Sequence, residues 1–266
     1  MKSRLGRIEA QFLAYAQLRR LRTVKVGDLG EPLQLSRKQE RELLSRLSRA
    51  GLIARVRSGL YLIPPGIPLG GSWSPDGILA LNTLMADRGA ACQICGPNAF
   101  SRYGFDDQVP NRIYAYNDRI SGERVIGVIR LQLIKVNSRR LGETELSQAT
   151  DGEEAVYSSR TRTLLDAVYD WSRFNSLPRA YRWILDELSS ERVKPEDLVR
   201  VTLQYGNLGT IRRIGVLLES ADVSDPLVNM LEKNLSPTTA TIPWVPSMQK
   251  RGHLSRRWGV VINDEI

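Results

Sequence analysis

The apolar positions of the first 63 residues keep a helical period and then switch, near residue 52, to that of short strands. Ile8, Phe12, Tyr15 and Leu18 recur three and four apart, with Leu21 extending the set, which predicts a helix from about Arg7 to Arg20. A short second helix is expected over Lys25 to Leu29, ended by Glu31-Pro32. Ser36 then stands as an N-cap, with Gln39 at the capping-box position three residues on. The helix that follows runs to Ala50 and stops at Gly51, a natural C-terminal glycine, with Leu43, Leu44 and Leu47 as its buried stripe. From Leu52 to Ile63 two short apolar runs flank Arg57-Ser58-Gly59, the pattern of a hairpin with a glycine-containing turn.

Pro64 to Gly71 is rich in proline and glycine and reads as a linker. Beyond it the pattern predicts a helix over Pro75–Arg88, a strand at Cys92–Cys95 and a small helix over Asn98–Phe105 closed by Gly104. Strands follow at Asn111–Tyr116, along Arg124–Val136 as one long run, and at Val156-Tyr157. Helices are expected over Thr161–Phe174, Pro178–Leu188, Pro195–Tyr205, Asn207–Ser220 and Pro226–Asn234, with a last strand at Trp258–Asn263. The fold class is α+β: an N-terminal winged helix-turn-helix over residues 1–63, a linker over 64–73, and a mixed α/β domain over 74–266 with its helices clustered late.

Charge separates these parts. Residues 1–63 hold 14 Lys and Arg against 5 Asp and Glu, whereas 64–266 hold 24 against 24. The entire net charge of +9 therefore belongs to the N-terminal module, the distribution of a polyanion-binding element joined to a neutral body. In a helix-turn-helix the second helix enters the major groove and its N-terminal side chains reach base edges. Arg37, Lys38, Gln39 and Arg41 occupy those positions, and Arg and Gln match guanine and adenine edges in a bidentate way. Ser45 and Arg46 along the helix, and Arg55, Arg57 and Ser58 at the hairpin, are expected on the phosphate backbone or minor groove, where contacts set affinity and register.

Catalytic and metal chemistry finds little support. Cys92 and Cys95 lack the second ligand pair that a structural zinc site needs, and in a strand they read as packed cysteines. His253 is the lone histidine, in a polar segment, which disfavours Ser–His and Cys–His catalysis. Asp106-Asp107 and Glu153-Glu154 sit in turn-like contexts, and Gly206-Asn207-Leu208-Gly209 lacks the Lys-Ser/Thr of a phosphate loop. No enzyme, cofactor or metal is expected. No apolar run approaches the ~20 residues of a membrane span, the basic N-terminus does not read as a signal peptide, and two cysteines make no disulfide framework. A cytoplasmic protein is expected.

Five stretches in order also carry a family pattern. They are Arg55-Val56-Arg57-Ser58-Gly59-Leu60-Tyr61, Gly96 to Phe105, Arg160-Thr161-Arg162-Thr163-Leu164-Leu165-Asp166, Arg212 to Glu219, and Trp258 to Asn263. Together they resemble the AbiEi family of antitoxins and transcriptional repressors of type IV toxin–antitoxin systems. The resemblance implies a repressor that binds inverted repeats of double-stranded DNA in its own promoter. It also implies a C-terminal antitoxin domain that counters a nucleotidyltransferase-like toxin without a stable complex. The Arg160–Asp166 and Arg212–Glu219 helices read as core-forming, with antitoxicity as the alternative role of their Arg and Asp. A nucleic-acid-processing enzyme whose winged helix positions substrate, or a winged-helix regulator without a toxin, remain the alternatives.

Overall fold

The computed structural model describes residues 6–66, 71–149 and 152–264. Along the chain come α1 (Arg7–Leu18), β1 (Thr23–Lys25), α2 (Gly30–Leu33), α3 (Arg37–Arg49), β2 (Ala54–Arg57), β3 (Leu60–Leu62), α4 (Gly77–Arg88), β4 (Cys92–Ile94) and α5 (Pro97–Tyr103). Next are β5 (Ile113–Asn117), β6 (Gly122–Ile126), β7 (Ile129–Lys135), β8 (Thr144–Gln148), β9 (Glu154–Ser158), α6 (Arg160–Tyr169), α7 (Trp171–Phe174), α8 (Arg179–Ser189) and α9 (Pro195–Tyr205). The chain closes with α10 (Leu208–Ser220), α11 (Asp225–Glu232), β10 (Ile242–Pro243), β11 (His253–Ser255) and β12 (Val260–Ile262). The class is mixed α+β, and no helix among the described residues is long and apolar enough to cross a membrane.

Two compact units partition the chain. The first comprises Met1–Cys92, Asn111–Lys135 and Ser147–Ala155; the second comprises Gln93–Pro110, Val136–Leu146 and Val156–Ile266. The expected division at 64–73 is thus not the boundary between them, and residues 67–70 of that segment lie outside the described residues. The cause is the back of the hairpin. Ala54 and Val56 are buried, and β2 packs against α4 and β6, which draws later segments into the first unit.

In the first unit α1 and α3 close over one core with the sheet β1-β3-β2: Phe12, Leu13, Ala16, Val24, Leu43, Leu44, Leu47, Ile53 and Tyr61. The helix expected at Lys25–Leu29 is instead a strand and a turn. Val24 is buried and pairs with Tyr61 across an antiparallel ladder, a tertiary contact that outweighs local helical spacing. Gly27, at φ +117°, turns the chain out of the strand, and the Asp28 carboxylate accepts the Lys25 N–H at 2.7 Å. The short α2 then forms around Pro32, which a first helical turn tolerates. The long strand expected at Arg124–Val136 is two antiparallel strands, turned at Gly127 with φ +62°; β7 also runs parallel to β5.

The second unit holds the late helical cluster. There α6 packs on α8, α9 and α10, and α11 on α9 and α10. The single helix expected over Thr161–Phe174 breaks at Asp170 into α6 and α7. Three short strands form the sheet β10-β12-β11, of which only β12 was legible from apolar content. β12 meets α10, whose Gly215 is a packing requirement, since a Cβ there would stand 2.3 Å from the Trp258 ring.

Candidate nucleic-acid interface

The site starts from the cap of α3. Ser36 Oγ accepts the Gln39 N–H at 3.4 Å, and the Ser36 N–H donates to Gln39 Oε1 at 2.8 Å. This reciprocal pair starts the helix at Arg37 and satisfies two otherwise unpaired donors. Leu43, Leu44 and Leu47 bury one face in the core, so the four-residue spacing of Arg37, Arg41, Ser45 and Arg49 runs along another. Glu40, fully buried, accepts the Gly27 N–H through Oε2 and ties α3 to the turn after β1.

The stripe forms one wall of an open groove of about 800 Å³. Arg46 and Glu42 flank it, Lys25 and Val26 lie at one side, and Arg55, Arg57, Ser58, Gly59 and Tyr61 of the hairpin form the opposite wall. Seven cationic side chains thereby face one concavity with a single carboxylate, Glu42, in its lining. A groove with guanidinium forks on both walls can bind a polyanion along its length and present donors to base edges.

Of the residues expected from sequence, Arg37, Arg41, Ser45, Arg46, Arg55, Arg57 and Ser58 come together here. Lys38 is exposed but outside the lining, and the Gln39 amide oxygen is engaged by the cap. Lys25, Arg49 and Tyr61 were not anticipated. Arg49 was readable as the continuation of the stripe at 37, 41 and 45; Lys25 was not, because it enters only once β1 exists.

Two cations carry ion pairs. Arg46 Nε lies 3.5 Å from Glu9, half exposed. Arg57 is held more tightly: its Nε and one terminal nitrogen both donate to Asp87 at 2.6 Å, and the other donates to the Ser58 carbonyl at 2.7 Å. The bidentate hydrogen bonds from Arg57 hold the Asp87 carboxyl below its usual range, against the opposing effect of burial, and raise the guanidinium in turn.

Elsewhere several motif residues are buried in ion pairs and hydrogen bonds. Arg162 and Asp166 are both fully buried and paired at 3.0 Å; Arg140 reaches the same carboxylate oxygen at 3.0 Å. Arg162 also donates to the carbonyls of Arg140 and Gly142, and its guanidinium lies over the Tyr205 ring at 4.0 Å. Arg213 donates to the carbonyls of Pro243 and Trp244, and Glu219 accepts from the Trp258 indole. Burial beside Asp118 pushes the Cys92 thiol up to about 11, the reverse of an activated thiolate. Glu153, expected in a turn-like context, is partly buried and paired with Arg22 at 2.7 Å, and it accepts from Asn82 at 3.0 Å.

No family model matches the sequence, and no curated protein matches it. The fold is similar to the crystal structure of the Rv2827c protein from Mycobacterium tuberculosis. The two superpose with a TM-score of 0.62 at 16% sequence identity, over 97% of this chain and 92% of that one. The likeness is one of fold.

Proposed function

We propose that this protein is a DNA-binding transcriptional autorepressor and antitoxin of the AbiEi type, whose first 63 residues form a winged helix-turn-helix. The groove between α3 and the hairpin carries the reading: seven cations against one carboxylate, on a helix and a hairpin that can follow a duplex. The order α1, β1, α2, α3, β2, β3 supports it, with α3 as recognition helix and β2–β3 as wing. In this reading Arg37 and Arg41, in the first turns of α3, meet base edges in the major groove. Lys25, Arg46, Arg49 and Arg55 hold phosphates, and so place the duplex without reading it.

The antitoxin half rests on the family resemblance. The partner it implies is a nucleotidyltransferase-like toxin countered without a stable complex. Footprinting on the DNA upstream of the protein's own gene tests the first half: protected inverted repeats are expected, with protection lost in Arg37→Ala and Arg41→Ala. Co-expression with a neighbouring nucleotidyltransferase-like toxin tests the second: growth is rescued by this chain, and no rescue would leave a regulator alone.

A further inference from the structure

Arg57 lines the groove, and its place at the hairpin tip predicts a contact with phosphate or the minor groove, yet its geometry points inward. Three of its nitrogens already donate, two of them to a carboxylate whose side chain is only 7% exposed. We propose that Arg57 and Asp87 form a latch that sets the position of the hairpin against α3, so that Arg57 acts on DNA by positioning the groove wall and not by touching the backbone. The proposal rests on the DNA-binding reading above.

Three observations meet on it. The β2–β3 ladder shifts register between Arg55 and Arg57, where Arg55 pairs with Tyr61 and Arg57 with Leu60. A bulge of this kind re-aims the side chain next to it. Asp87 lies in the last turn of α4, where the helix dipole disfavours a carboxylate. Its placement there is offset by the guanidinium it grips. Finally, the hairpin that bears Arg57 has its back, Ala54 and Val56, buried where β2 packs on α4, so the ion pair adds a directional tie at the end of β2 to a contact that is otherwise apolar.

A charge argument separates the latch from a phosphate contact. Removing Asp87 deletes a negative charge beside a polyanion site. If Arg57 held phosphate, that would free it and tighten binding; if the pair is a latch, it loosens the wall and weakens binding.

The test measures binding of the full chain to a labelled duplex selected by the wild-type protein from a randomised pool, across a salt series. The variants are Asp87→Ala, Asp87→Asn, Arg57→Ala, the double alanine variant, and the exchange Arg57→Asp with Asp87→Arg. Asp87→Ala and Arg57→Ala are each expected to weaken binding about tenfold, with the double variant no weaker than either, as coupled residues behave. The salt slope stays at the wild-type value, and the exchange recovers part of the loss. Asp87→Asn keeps the shape of the site, so a folding defect in the alanine variant leaves the comparison intact: Asp87→Asn must also weaken binding. Unchanged or tighter binding in Asp87→Asn overturns the latch. So does a slope reduced by about one in Arg57→Ala alone, the mark of a lost phosphate contact. A wild type that binds no duplex overturns the DNA reading and the latch with it, an outcome distinct from a wild type that binds while Asp87 proves irrelevant.

Discussion

Arg41 stands second in the stripe that runs Arg37, Arg41, Ser45, Arg49, and its side chain is exposed toward the groove. Arg41→Ala should weaken binding to a selected duplex by about 1–3 kcal/mol and relax discrimination between sequences. Equal loss on random duplex would assign Arg41 to phosphate instead. Asp166 sits at the other extreme of exposure. Asp166→Ala leaves the buried Arg162 without its carboxylate, a change worth about 3–5 kcal/mol of stability by denaturant titration. Much of α3 was legible, because a leucine stripe and a Ser–Gln cap are local signals. Glu40 was not. It stands among polar neighbours in sequence and is buried only because the turn at Gly27 returns to meet it.

At the scale of elements, α3 begins where its cap places it. Ser36→Ala should cost about 1 kcal/mol, read as a lowered thermal midpoint. The hairpin has its own acid sensitivity. Asp87 faces Arg57 from β2, Lys25 from β1 and its neighbour Arg88, and its carboxyl is held below the ordinary range chiefly by the bonds from Arg57. A depressed carboxyl stabilises the fold above the unfolded pKa and loses that contribution as pH falls through the folded one. Stability should therefore decline on acidification with a part contributed by Asp87, and Asp87→Asn should flatten that part of the curve. Because the Arg57 side chain is 36% exposed, the effect is modest. The hairpin itself was legible from the glycine turn. β1 and the break at Gly127 were not, since a three-residue strand is decided by its ladder partner and a β-rich run does not announce where it folds back.

Over the whole molecule the charge has a single address. The excess of nine positive charges lies in residues 1–63, and the groove gathers seven cations of that stretch in its lining. The rest of the chain balances, and its buried arginines are spent on carbonyls, carboxylates and rings. The order of the late helices was legible from their periodicity. The two-unit division was not, because it depends on which later segments cover the back of the hairpin. If DNA lies in the groove, its affinity must respond to salt as a phosphate contact surface does. The direct measurement is the equilibrium constant for a selected duplex between low and physiological salt. With Lys25, Arg46, Arg49 and Arg55 on phosphates, log K should fall against log salt with a slope of about −4 per protomer, and Arg55→Ala should lower it by about one. A slope near zero, or one that Arg46→Ala, Arg49→Ala and Arg55→Ala all leave untouched, would contradict the account.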